Sequence, residues 1–468
     1  MAVNISTAAP VSRSASVRFY EAVIFLYCLI QVNYNNGTTT EPDLETATGK
    51  TPKDEFFCFV NKLAQICDSE RGGDTITAFS VLQPGSIQYR FASNNRSHSD
   101  LEKVREYITD ILTTLGQTPD ERLDTIREDI LGKVIMFNRG RVENYVGGVL
   151  KELDFCIQAC ESVDTASFAT SAVALLNTIS TLYTTPFETF LRQKSRHDSD
   201  PNSRTPWSDL RHHLGRLQSY SVAITVLLSV RHYRRSLFED FSVVAIPSVA
   251  HVEDSTPNIR RSAAGIMQRM PAAIKTAYHA CAGHLKSLDI DGAIKECARV
   301  SRFKPIVHCE INLFDSILRD NLLSEGDEPL RFYEEATFGR YIGCSKPTCR
   351  LCALYFAAHP TEVKVRPSHS NVYYKWRVPD VYENEGQHVK KQTEDILESM
   401  IKQVRNVILE GLSGIVKRKA HDSNSTPSNP YPYQTSIRSY GRIGIAEESL
   451  AGDVDGDDLA QRLGEMGL

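Results

Sequence analysis

Four residues restrict this chain more than any others: His308 and Glu310 in one segment, Cys349 and Cys352 in another. An imidazole and a C-x-x-C pair are three ligands of the right softness for zinc, and three protein ligands leave a fourth tetrahedral position for water. Zinc held in this way lowers the pKa of that water towards about 7. Glu310 follows the histidine by two residues, close enough to take a proton without being a ligand. Any fold must therefore bring together segments separated by the 38 residues 311–348. Both segments begin predicted helices. The partial positive charge at a helix N-terminus favours thiolates at Cys349 and Cys352 and a carboxylate at Glu310.

The surrounding pattern is α/β. A predicted helix from Glu310 to Leu323 leads to a strand at 338–344, then a helix from Cys349 to Ala358 and a strand at 363–366. Gln387 to Val416 has the apolar stripe of a long amphipathic helix. Upstream, Asp54 to Asp68 has helical spacing, and strands at 75–82 and 87–92 flank the turn Gln83-Pro-Gly-Ser86 as a β-hairpin. From about residue 99 to 301 apolar residues recur with a 3.6 period, in stretches including Leu123–Phe137, Ala166–Tyr183, Leu210–Tyr233 and Ile259–Ser287. Phe241–Ile246 reads as an isolated strand, and no fixed period marks a solenoid.

With 468 residues the chain exceeds one ordinary core. A hydrophobic content of 41% and a net charge of −5 exclude wholesale disorder and any global electrostatic case for nucleic acid. Eleven cysteines, an odd number thinly spread, point to reduced thiols and an intracellular setting, cytoplasm or nucleus. The apolar run Ala22–Ile30 is too short to span a bilayer, and with Glu21 at its edge and no clear cleavage site it reads as a buried N-terminal helix. Residues 1–18 and 34–52 read as loop or disorder. Beyond residue 417 the composition turns polar, and from Glu447 onward seven acidic residues face one arginine, the mark of a disordered, acidic-ended tail.

H-x-E followed by C-x-x-C, with a strand between the two helices, resembles the cytidine deaminase-like superfamily. The phrases Phe91-Ala-Ser-Asn-Asn95, Tyr341-Ile-Gly-Cys-Ser-Lys346 and Arg366-Pro-Ser-His369 resemble a fungal lineage-specific deaminase-like family within it. The resemblance implies an α/β fold, a three-layer α-β-α deaminase-like sheet with a large all-α insertion, and composition adds the disordered C-terminal tail. It divides the chain into an N-terminal segment (1–52), a first helix and hairpin (53–98), a helical insertion (99–301), a zinc-binding core (302–416) and the tail (417–468). His308, Cys349 and Cys352 would hold zinc. Hydroxide would attack C4 of a cytosine-type or C6 of an adenine-type base, and Glu310 would carry protons to the ring nitrogen and the leaving amine. Asn94 or Asn95 would hold a sugar, and Trp376, in Tyr373-Tyr-Lys-Trp-Arg377, would stack a base or pack a last strand. One departure concerns the backbone turn: the family places proline directly before the first cysteine, whereas here Thr348 intervenes after Pro347.

Other features have plainer readings. Cys309 and Cys344 read as buried thiols, and His212-His213 as surface residues. Residues 192–275 contain 13 Lys/Arg against 7 Asp/Glu. Arg231, Arg234, Arg235, Arg260 and Arg261 are candidate phosphate contacts against a default of a solvated helix face. Asp453–Asp458 lacks the closing glutamate of a calcium loop. Two functional readings remain: a zinc deaminase, and a non-catalytic zinc-stabilised scaffold of the same fold that binds protein or nucleic-acid partners. A zinc amide hydrolase lacks its second histidine.

Overall fold

The computed structural model describes residues 11–34, 51–156, 206–249, 258–299, 303–323 and 329–414. The expected helix at Ala166–Tyr183, the linker at 195–205 and the tail from residue 417 lie outside them. Among the described residues the architecture is mixed α/β, mostly helical, around one five-stranded sheet.

The sheet is built on the hairpin. β1 (Thr77–Leu82) and β2 (Ile87–Ser93) pair antiparallel, from Thr77 opposite Ser93 to Leu82 opposite Gln88. Gly85, at φ +110°, supplies the left-handed backbone of the turn. β1 starts two residues later than the apolar pattern suggests, because the Thr75 hydroxyl donates to the buried Asp68 carboxylate (2.8 Å) and ties that stretch into a turn. β4 (Tyr341–Cys344) pairs antiparallel with β1, placing Cys344 opposite Ala78, and β5 (Lys364–Val365) pairs parallel with β4. The hairpin, Tyr341 and Val365 thus share one sheet.

Several expectations need correction. Phe241–Ile246 is not isolated: as β3 it runs parallel to β2 and forms the sheet edge, giving the order β3-β2-β1-β4-β5. Residues 13–18 are helical, being the start of α1 (Arg13–Tyr34). The strand expected at 338–344 is shorter, since Glu335–Phe338 is a helical turn and Gly339, at φ +76°, redirects the chain. The single helical pattern at 259–287 is two helices, Ala263–Met267 and Ala272–Ser287, separated around Pro271, which has no N–H to continue the first. The helix expected from Leu123 starts at Arg127.

Both faces of the central strands β1, β2 and β4 are buried, alternate side chains entering opposite layers. Ala78 and Leu82 join Ala92, Ile342 and Cys344 in one apolar cluster. It is shared with α1, the helix Cys309–Leu323, the helix Arg350–Ala358 and the long helix Gln387–Leu412. Phe79 and Val81 face the other way with Tyr89 and Phe91, against α2 (Pro52–Cys67), the helix His98–Gln117 and the helix Pro206–Tyr233. α2 begins with a reciprocal cap between Thr51 and Asp54, with Pro52 in its first turn. It lies so close to β4 that a Cβ at Gly343 would stand 2.9 Å from the Val60 carbonyl carbon. Asn61 Oδ1 accepts from the Tyr341 hydroxyl (3.0 Å) and the Cys344 N–H (3.2 Å), fixing α2 to this strand.

α1 is the buried N-terminal helix that the apolar run implies, with Ala22–Leu26 no more than 1% exposed. It is also the one described helix long and apolar enough to cross a membrane. Here it is enclosed by protein: Glu21 accepts from Arg269 (3.0 Å), and Arg18 pairs with Glu398 of the long C-terminal helix.

Two changes test this packing. Gly343→Ala pushes α2 off β4 and should lower the unfolding free energy in urea by about 1–3 kcal/mol; no measurable loss would contradict the close approach. Burial holds the Lys62 ammonium at about 8, below its usual value, with a bond to Gln65 Oε1 at 2.7 Å. The folded state therefore bears the full cost of that charge below pH 8, and the cost fades as pH rises towards the unfolded value near 10.4. Lys62→Met should stabilise the protein at pH 7 by about 1–3 kcal/mol, with the gain disappearing above about pH 10.5. A gain that does not depend on pH would count against a buried charge as its origin.

Candidate metal centre

His308 ends an extended segment, and its carbonyl accepts from Ile311 N (3.0 Å) and Asn312 N (2.9 Å), the first bonds of the helix Cys309–Leu323. That position fixes the imidazole directly ahead of the helix and puts Glu310 in its first turn, where the helix end favours a carboxylate. Asn94 secures the same helix from the hairpin side. Its Oδ1 accepts from Cys309 N (2.8 Å), and its Nδ2 donates to the Gly73 carbonyl (2.8 Å). The end of β2 thus sets the height of His308 and Glu310.

Cys349 is the N-cap of the helix Arg350–Ala358, its sulfur accepting from Cys352 N (3.4 Å). A thiolate suits that role, because it satisfies an orphan N–H and faces the positive end of the helix. The segment before it is held by His369 N donating to the Thr348 carbonyl (3.1 Å), beside a bridge between Thr348 and Ser368. The turn with threonine between Pro347 and Cys349 therefore still delivers the sulfur to the site.

The two segments meet. His308 Nδ1 is 3.5 Å from Cys349 Sγ and 3.4 Å from Cys352 Sγ. Around one tetrahedral zinc, ligands at about 2.0–2.1 and 2.3 Å stand roughly 3.6 Å apart across an edge. The three donors fit such an ion, and their softness selects zinc over magnesium or calcium. Bound zinc would be held by His308, Cys349 and Cys352.

The electrostatics are those of a buried site. Burial opposes ionisation of Cys349, yet the Cys352 thiol and the His308 ring beside it hold its pKa well below the usual thiol range. Burial and the adjacent Cys349 push Cys352 well above that range. Burial works against a charged His308, but Cys349 outweighs it and raises the imidazole. Burial also raises Glu310, with His308 offsetting part of the effect. Cys309 and Cys344 are buried thiols, as expected, with their sulfurs 4.0 Å apart and Cys309 Sγ 3.3 Å from Glu310 Oε2. These three residues form a second compact donor group, which spacing along the chain did not reveal. Among the described residues the cysteines are free thiols.

Of the remaining candidates, Trp376 touches the site and the others lie elsewhere. Asn95 is exposed and donates to Asp74 Oδ1 (3.3 Å). Trp376 is fully buried (0% exposed) behind Cys352, its indole N–H directed at that sulfur. Tyr373, 38% exposed, is the aromatic of that segment at the surface, 6.1 Å ring to ring from His308. Arg231 is buried, donating to the carbonyls of Leu115 (2.7 Å) and Thr118 (3.0 Å) at the end of the helix His98–Gln117. Arg234 pairs with Glu334 (3.1 Å) and Arg235 with Asp120 (3.0 Å). Arg260 donates to the Gly265 carbonyl (2.6 Å), and Arg261 is exposed. His212 and His213 are half-buried, correcting the surface reading: His213 packs where a Cβ at Gly148 would stand.

A helix N-terminus carrying Glu310 directly behind His308, a strand, and a helix opening with C-x-x-C bring three donors together in one compact site. Residues 307–380 match the model of a family described as OTT_1508-like deaminase, a span that contains His308, Glu310, Cys349, Cys352 and Trp376. The chain thus carries a deaminase-like domain at those residues and a Cys/His cluster able to hold a metal. Comparisons with curated proteins and with solved structures give no significant match.

Purified wild type should contain about one zinc per chain by elemental analysis, and Cys349→Ala less than a tenth of that. Equal zinc in both would remove Cys349 from the ligand set.

Proposed function

We propose that this protein is a zinc-dependent deaminase that hydrolyses the exocyclic amine of a cytosine- or adenine-type base. The observation that carries the reading is the meeting of His308, Cys349 and Cys352 with a buried carboxylate two residues from the histidine. Bound zinc would supply Lewis acidity that makes a hydroxide nucleophile available near neutral pH. Glu310 takes one proton from the attacking water as its oxygen bonds to the ring carbon and gives that proton to the ring nitrogen; it then takes the proton of the new hydroxyl group and gives it to the amine, so that the C–N bond breaks and ammonia departs. Burial raises the pKa of Glu310 above the ordinary carboxylate value, the direction that helps a carboxyl give back a proton it has taken. Asn94 positions Glu310 through the Cys309 N–H.

The division into core, insertion and tail belongs to this proposal, as does the three-layer arrangement. The burial of both faces of the central strands under helices supports the latter. Of the five candidate arginines, Arg235 and Arg261 are the exposed ones, and contact with nucleic acid would fall to them. The competing reading is a zinc-stabilised scaffold without turnover. What favours it is the bond that occupies Glu310 Oε2 with the Cys309 thiol.

The test is ammonia release from cytosine- and adenine-type substrates presented as free bases, nucleosides, nucleotides and single-stranded oligonucleotides. Turnover by wild type should fall at least about 100-fold in Glu310→Gln while zinc content is retained. Zinc-loaded wild type that turns over none of these substrates would favour the scaffold.

A further inference from the structure

We propose that Trp376 is a positioning residue for the metal centre, its indole N–H donating to the sulfur of Cys352 and tuning that thiolate as a ligand. The inference rests on the zinc reading of the His308, Cys349 and Cys352 cluster, and it assigns Trp376 a role other than base stacking.

Three observations carry it. The indole nitrogen is a donor with no acceptor capacity, and it stands 3.4 Å from Cys352 Sγ. The ring is 0% exposed, so water is not its partner, and a buried donor is satisfied within the protein. The backbone then fixes its aim. Ile306 N donates to the Lys375 carbonyl (2.9 Å) and Arg377 N to the Ile306 carbonyl (3.0 Å), so Trp376 bridges to a residue two before His308. One stretch of paired backbone thus sets both the imidazole ligand and the donor to a thiolate ligand. Phe19 of α1 (ring centroids 5.5 Å) and Tyr355 (6.2 Å) close around the indole, while the Arg377 guanidinium holds Asp380 through two bonds (2.7 and 3.0 Å) just beyond it.

A hydrogen bond to a thiolate ligand stabilises the charge on its sulfur and lowers the energy of its lone pairs, so it places the sulfur-to-metal charge-transfer band at shorter wavelength and holds the ligand in the geometry the metal needs. Partners of this kind typically matter by 10–100-fold in metal affinity. The bond also orients the sulfur lone pairs, which a one-carbon side chain on a helix does not do alone.

The measurement uses the full chain. Cobalt(II) is substituted for zinc, and the sulfur-to-cobalt charge-transfer band is recorded for wild type, Trp376→Phe and Phe19→Leu. Zinc affinity is measured by chelator competition. In Trp376→Phe, which keeps an aromatic ring and lacks the donor, the band should move to longer wavelength and zinc should bind about tenfold or more weakly. Phe19→Leu disturbs the packing of the same ring but keeps the N–H, and should leave the band in place. An unchanged band and affinity in Trp376→Phe overturns the proposal while leaving the metal centre standing. Failure of wild type to take up either ion overturns the zinc reading itself. Should Trp376→Phe not fold, nitrogen-15 labelling of wild type decides, since the chain has only two tryptophans. One indole N–H resonance should shift on addition of zinc to metal-free protein, and two unmoved resonances overturn the assignment.

Discussion

The structure depends on two helix N-termini that meet beside one face of the sheet. One presents His308 and Glu310, the other presents Cys349 as its own cap and Cys352 one turn later. Each helix end carries unsatisfied N–H groups and a partial positive charge, which suits thiolate and carboxylate side chains in a place otherwise hostile to charge. The sheet supplies the spacing. β1 and β4 are hydrogen-bonded neighbours, with Asn94 at the end of the hairpin holding one helix and the Thr348–Ser368 bridge holding the other. Remove the sheet and the 38 residues between Glu310 and Cys349 impose no geometry on the ligands.

Burial determines the chemistry available there. Glu310 is 4% exposed and Cys352 0%, so each charge matters more than it would in water. The thiols unite a low-pKa Cys349 with a high-pKa Cys352, an asymmetric arrangement produced by a shared hydrogen bond and a neighbouring imidazole. Cys309 touches the same carboxylate, and Cys344 stands next to Cys309. The site is therefore a continuous polar seam in an otherwise apolar interior, closed at one side by Trp376 and α1.

How much of this the sequence revealed depends on the range of each signal. The hairpin, the helix ends at 309 and 350 and the metal trio were legible because turn residues, caps and ligand types act over a few positions. β3 was legible as a strand but not as part of the sheet, since it is a half-buried edge whose partner, β2, lies some 150 residues earlier. The strand at 338–344 read too long because Phe338 is apolar in either a helical turn or a strand, and the φ of Gly339 is invisible to periodicity. Trp376 and Arg231 show the limit most clearly. Aromatic and basic residues in a polar stretch look like ligand contacts, yet one is buried against a thiol and the other ties down a helix end. Composition gives no direction to a side chain.

The most direct test of the central claim is X-ray absorption at the zinc edge on the full-length protein as purified. The account predicts two sulfur scatterers near 2.3 Å and at least one imidazole nitrogen near 2.0–2.1 Å, with light-atom scattering completing four-coordination. A shell with no sulfur, or one with four, would contradict it.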